Sequence, residues 1–187
     1  MKSIITIMLL MCSIHSFAQI NLFSEENHGG ESQEIIFGSV VINLNFDIVK
    51  SIQLSPGSVL ILFERHLNGN PSGRHKLITE SSEDILIPFK PVYAIAFENH
   101  QNEVVGFEKI NFRGASRSFQ IGENLVPEDF GLSSIYIPTG KSVVLYKEHP
   151  NERPNQEVEH RVMRAGIRPF VGSDMAQKVR VILVRYS

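Results

Sequence analysis

The chain has 187 residues, a net charge of −2 and 42% hydrophobic residues, which is enough to build packed cores and too nearly neutral to expect a nucleic-acid partner. Its one cysteine, Cys12, excludes an intramolecular disulfide framework and a thiolate metal cluster.

Lys2 precedes an apolar run from Ile4 to Cys12, and Ser16-Phe17-Ala18 supplies small residues where a signal peptidase cuts. This pattern predicts a signal peptide over residues 1–18, with cleavage after Ala18 and loss of Cys12. The run is shorter than the roughly 20 apolar residues that span a bilayer, and no later segment approaches that length, so no transmembrane segment is expected. The expected location is secreted or periplasmic.

Gln19 to Phe23 alternates apolar and polar residues like a half-buried strand, with His28 and Gly30 in the polar hairpin behind it. Asn45 to Ser51 reads as a loop into Ile52-Gln53-Leu54, and Pro56-Gly57 as a turn. Val59 to Phe63 is apolar on both faces and reads as a strand crossing a sandwich core. Leu67 to Gly73 reads as a long, turn-rich loop, and Tyr93 to Phe97 as the next strand. Glu98 to Glu103 is polar throughout and is the expected domain boundary, dividing residues 19–100 from 101–187.

Beyond it, Val104 to Gly114 carries Phe107 and Phe112 five apart, with Gly114 two residues on, a spacing that suits a strand folding back on itself. Asp129-Phe130-Gly131-Leu132-Ser133-Ser134 then leads into Ile135-Tyr136-Ile137 and a turn at Pro138-Thr139-Gly140. Lys141 to Tyr146 opens a further segment, continued by a proline-bracketed loop from Lys147 to Pro154 and closed by Val179 to Val184. Phe23, Phe63, Phe107 and Tyr146 each open such a segment, at intervals of 39 to 44 residues. No segment sustains a helical period, so the class is all-β.

The aromatic-x4-aromatic-x-Gly hairpin and the Asp129 to Ser134 loop resemble the βγ-crystallin Greek key. The resemblance implies an all-β fold of two βγ-crystallin-like Greek key β-sandwich domains in tandem, the third copy best preserved. It also implies that Ser51 and Ser134 sit over the hairpins of their own copies, and it makes calcium the one candidate cofactor. In the family, the loop supplies an oxygen at its fifth position, with backbone carbonyls and an oxygen from the neighbouring copy. Ungapped windows from Phe46, Phe89, Asp129 and Ser173 put Lys50, Tyr93, Ser133 and Gln177 at that position. Asp129, Gly131 and Ser133 are therefore the candidate calcium ligands, with Phe130 replacing the second acidic residue and Asp174 and Gln177 a poorer set in the fourth copy.

No Gly-x-Ser-x-Gly elbow, His-Glu-x-x-His pair or glycine-rich nucleotide turn is present, and no catalytic residue is expected. His28, His66, His75, His100, His149 and His160 lack ligand spacing and read as solvated loop residues. The mixed-sign stretch from Glu157 to Arg168 reads as a solvated face or loop. The expected function is that of an exported, non-enzymatic structural or binding protein. The alternative is an exported inhibitor or toxin-related protein that binds an enzyme or cell-surface target through Asn68 to Arg74 and Glu148 to Arg168.

Overall fold

The computed structural model describes residues 19–187 apart from 39, 68–69, 100 and 150–158, so the expected signal peptide and Cys12 lie outside the described residues. The described residues form strands and turns with no helix. The first half contains β1 (Ile20–Phe23), β2 (Ser32–Ile35), β3 (Val40–Ile42), β4 (Ser51–Leu54), β5 (Ser58–Leu67), β6 (Asn70–Ile78) and β7 (Tyr93–Glu98). The second contains β8 (Val104–Lys109), β9 (Arg113–Phe119), β10 (Gly122–Leu125), β11 (Ser134–Tyr146), β12 (His160–Arg168) and β13 (Val181–Tyr186).

The strand order is that of exchanged Greek keys. In the first half β2-β1-β4 form one sheet, while β3 crosses to pair with β7 in the sheet β3-β7-β5-β6. The second copy returns the exchange through the bridge Ile52↔Ser82. In the second half β10 crosses to β13, and β11 joins both sheets: Ser134 to Tyr136 pair with β8 and Lys141 to Tyr146 with β13. The strand bends between, where Gly140 has φ 81°. The first half breaks the chain at the same junction, at Gly57 with φ 78°. Both values lie in the left-handed region that glycine alone enters without steric cost.

One backbone arrangement recurs four times. The N–H groups of Lys50, Val92, Ser133 and Arg180 donate to the carbonyls of Phe23, Phe63, Phe107 and Tyr146, at 2.9, 2.9, 2.8 and 2.8 Å. Their own carbonyls accept from Ile85, Asn43, Val171 and Val126 of the partner copy, at 2.8, 2.8, 3.0 and 2.8 Å. Each of these residues thus links its own hairpin to the neighbouring copy. This register corrects the ungapped alignment: the fifth position of the second copy is Val92, not Tyr93, and that of the fourth is Arg180, not Gln177. The second copy's loop, Phe89-Lys90-Pro91, has no acidic residue to mark the register, and in the fourth copy residues 173–178 are wound into extra turns.

The Ser51 hydroxyl accepts from His28 N at 2.9 Å and donates to the Glu25 carbonyl at 2.6 Å. That of Ser134 accepts from Phe112 N at 2.9 Å and donates to the Lys109 carbonyl at 2.7 Å. Each ties down the bend of its own hairpin, where Asn27-His28 and Asn111-Phe112 all have positive φ. His28 fills the aromatic's place, with its ring 5.1 Å from that of Phe23, as Phe112 lies 5.5 Å from Phe107. It is half-buried in this hairpin rather than a solvated loop residue.

The equivalent positions in the other copies, opposite Phe63 and Tyr146, are Tyr93 and Val181. Neither places a small hydroxyl over a bend; β5 and β6 instead stay paired beyond Phe63, with a register shift between Phe63 and Arg65. Asn70 to Arg74, expected in a loop, belongs to β6 and pairs with β5; His160 to Arg168, also expected in a loop, is β12 and pairs along β11.

Each half has its own apolar core, one built around Leu22, Leu60 and Ala96, the other around Leu132, Ile135 and Val143. A third cluster joins them. Val59, Ile61, Phe63, Tyr93, Ile95 and Phe97 of the first half pack against Val105, Phe107, Phe112, Tyr136 and Ile167 of the second. The Phe97 ring lies 5.1 Å from Phe107 and 5.4 Å from Tyr136, both edge-on. This corrects the reading of Val59 to Phe63: Leu60 and Leu62 face the first core, whereas Val59, Ile61 and Phe63 face the other half.

Ser134→Ala removes a hydroxyl from a fully buried site and leaves the Phe112 N–H and Lys109 carbonyl without it. It is expected to lower unfolding free energy by about 1–3 kcal/mol, with Ser51→Ala acting likewise. Gly106→Ala is expected to cost a further ~1–3 kcal/mol by overpacking, because its Cβ would lie 2.5 Å from Leu132 Cδ1 and 2.8 Å from Phe119 Cε2. Urea unfolding measures all three, and an unchanged midpoint for Ser134→Ala would contradict the tether.

Candidate functional site

Of the four fifth-position residues, Ser133 alone carries a hydroxyl. Lys50 brings an ammonium, 3.6 Å from Glu26 Oε1; Val92 packs against the cluster between the halves; Arg180 brings a guanidinium. Ser133 is buried, and its hydroxyl donates to the Gly131 carbonyl at 3.3 Å. The loop of the fourth copy closes over it: Val171 N donates to the Ser133 carbonyl at 3.0 Å, and Gln177 N to the Leu132 carbonyl at 3.0 Å. A Cβ added to Gly131 would lie 3.1 Å from Gln177 Cγ. The structure therefore brings together Gly131, Ser133 and Gln177, although Gln177 does not hold its own copy's fifth position.

The two carboxylates proposed from sequence are placed differently. Asp129 is exposed, at the loop's outer end. Asp174 is taken up by Arg161, whose Nη2 donates to Oδ1 at 2.9 Å and to Oδ2 at 2.8 Å, while Nη1 donates to the Val171 carbonyl at 2.8 Å. Arg161 gave no sequence signal beyond its place in a mixed-sign stretch. Its guanidinium neutralises the only carboxylate within the turn at 171–177, Nη2 contacting both carboxylate oxygens while Nη1 ties down the Val171 carbonyl. Among the described residues, no three His, Cys, Asp or Glu side chains gather around one point. A hard cation here would depend on the Ser133 hydroxyl, the Gly131 carbonyl and the Gln177 amide, with water completing the six to eight oxygens that calcium takes. These neutral donors fit a weak calcium site.

A second region of note is a cavity of about 700 Å³ on the β5–β6 ribbon, lined by Glu64, Arg65, Arg74, His75 and Phe89. Arg74 lies 5.5 Å from the centre of the Phe89 ring, and its Nη2 donates to Glu64 Oε1 at 2.6 Å. That hydrogen bond, reinforced by one from the Arg74 backbone, lowers the Glu64 carboxyl from 4.5 to about 2.

No protein-family model matches the chain, and no curated protein matches it either. Among solved structures, it is similar to geodin, a βγ-crystallin from Geodia cydonium, with 18% identity over 91% of this chain and 100% of that chain, at a TM-score of 0.48. It is also similar to a βγ-crystallin domain from Clostridium beijerinckii, with 26% identity over 45% of this chain and 97% of that chain, at a TM-score of 0.37. The solution structure of protein S complexed with calcium matches with 19% identity over 91% of this chain and 99% of that chain, at a TM-score of 0.36.

Because the folded-state value of Glu64 is depressed, its ion pair contributes stability above pH 4.5 that is lost as pH falls through about 2. A carboxyl NMR titration is expected to find Glu64 ionising well below the ordinary value of 4.5. Arg74→Met is expected to return it towards 4.5, and a midpoint unmoved by that substitution would contradict the assignment.

Proposed function

We propose that this chain, with its βγ-crystallin-like Greek keys in two tandem units, is an exported, non-enzymatic structural or binding protein with one weak calcium site in its second half. The observation that carries the reading is the buried hydroxyl of Ser133, the only one among the four equivalent positions, closed in by the loop that ends at Gln177. Calcium bound there by Gly131, Ser133 and Gln177 would link the third and fourth copies across a contact now made by the backbone hydrogen bonds from Val171 and Gln177. The donors are neutral, and ligand charge governs affinity in oxygen sites, so binding in the range of about 10⁻⁴–10⁻³ M is expected.

Export is supported by the apolar segment at the N-terminus. Among the described residues, no helix is long and apolar enough to cross a membrane. The alternative, an inhibitor acting through long loops, has less support because Asn70 to Arg74 and His160 to Arg168 are committed to strands.

Calorimetric titration of the mature chain with calcium tests the site. Saturable heat that Ser133→Ala abolishes and Lys50→Ala leaves unchanged is expected; the reading fails if the heat survives Ser133→Ala or is absent at millimolar calcium. A ligand bound only by the folded state stabilises it by about 2.7 kcal/mol at a hundredfold excess over Kd. Calcium should therefore also raise the melting temperature of the native sequence and not that of Ser133→Ala.

A further inference from the structure

The second half contains the Ser133 crevice twice, related by the internal repeat, and the two copies have opposite chemistry. Arg180 makes the same pair of backbone hydrogen bonds as Ser133, to the Tyr146 carbonyl and from Val126 N, both at 2.8 Å. Where the Ser133 copy is closed by the loop ending at Gln177, the Arg180 copy opens into a cavity of about 520 Å³. Its apolar wall is formed by Leu125, Val126 and Val181. Leu125 is 66% exposed and so offers apolar surface to a ligand in the cavity.

The charges in this cavity divide into paired and unpaired. Lys147 Nζ lies 2.5 Å from Glu159 Oε1, and His149 Nε2 lies 2.9 Å from Glu123 Oε1. Arg180, Glu128 and Glu148 also line the cavity; Glu148 is engaged elsewhere, whereas the side chains of Arg180 and Glu128 form no ion pair or hydrogen bond among the described residues. Among the described residues, the cavity therefore presents an unpaired guanidinium, a separate unpaired carboxylate and an apolar wall.

We propose that this cavity binds a small zwitterion with an apolar side chain, of the α-amino acid or short-peptide class. Its carboxylate accepts from the Arg180 guanidinium, its ammonium donates to Glu128, and its side chain covers Leu125. A guanidinium presents paired donors that match a carboxylate, which gives the site an orientation as well as a charge. A multiply charged anion is disfavoured because it would bring further negative charge against Glu128 and Glu148, with Lys147 already paired to Glu159 and only Arg180 left to offset it. The site does not involve the Ser133 crevice, so it stands whether or not calcium binds there.

The test is titration of the ¹⁵N-labelled mature chain with L-leucine, in the presence of chelator, followed by NMR. Saturable shifts at Leu125, Val126, Arg180 and Val181 are expected, with a millimolar dissociation constant. Arg180→Gln and Glu128→Gln should each weaken binding about tenfold, as expected for loss of a hydrogen bond to a charged group. N-acetyl-L-leucine, which lacks the ammonium, and L-leucinamide, which lacks the carboxylate, should bind more weakly by a similar factor. Unchanged spectra elsewhere in each variant establish that it is folded, since the Arg180 contacts that hold the fold are made by its backbone. The proposal is overturned if L-leucine produces no saturable shifts, if neither substitution weakens binding, or if N-acetyl-L-leucine binds as tightly as L-leucine.

Discussion

The fold depends on a hydrogen bond repeated at four places in which the side chain takes no part. At Lys50, Val92, Ser133 and Arg180 the N–H bonds to the first strand of its own copy and the carbonyl to the partner copy. Both groups are main-chain and must be satisfied wherever they are buried, so the arrangement survives any residue with an N–H. An ammonium, an isopropyl group, a hydroxyl and a guanidinium occupy one geometry. Conserving the backbone contact leaves the side chain free to change chemistry, so one repeated position carries a hydroxyl oxygen in one copy and a guanidinium in another.

The two serine tethers act differently, because there the side chain is the contact. Ser51 and Ser134 each satisfy one N–H and one carbonyl at a hairpin bend whose residues have positive φ. Non-glycine residues in that conformation cost free energy, and the hydroxyl helps to offset it. Where Tyr93 replaces serine, its own hydroxyl is buried without a partner, and burial pushes its pKa up. The chain beyond Phe63 continues as the paired strands β5 and β6. A small hydroxyl thus accompanies the folded hairpins of the first and third copies.

The apolar cluster around Phe97 makes the halves interdependent. Sheets β3-β7-β5-β6 and β9-β8-β11 each contribute side chains to it that would otherwise face water. Fully burying side chains of this size stabilises by roughly 1.5–3 kcal/mol each, so separating the halves would expose surface that neither can cover alone. The crevices at Ser133 and Arg180 lie in the second half, which contributes Phe107, Tyr136 and Ile167 to the joint cluster. Their shape is thereby tied to the presence of the first half.

The sequence by itself determined the all-β class, the four copies, the hairpin aromatics and the placing of Ser51 and Ser134, because alternation, glycine and small hydroxyls act over a few residues. It also singled out Ser133 as the one hydroxyl of its kind. Only the tertiary structure decided the register of the second and fourth copies, where the second loop has no acidic residue to mark position, the fourth holds extra turns at 173–178, and Val92 and Arg180 carry no local sign of their role. The strand character of His160 to Arg168 was hidden for a related reason: its charges suggest solvent, yet β11 offers it a complete hydrogen-bonding edge. The bond from Arg161 to Asp174 joins residues 13 apart across two elements. No window of sequence can reveal that this carboxylate is already neutralised, since the pairing exists only once both elements are packed.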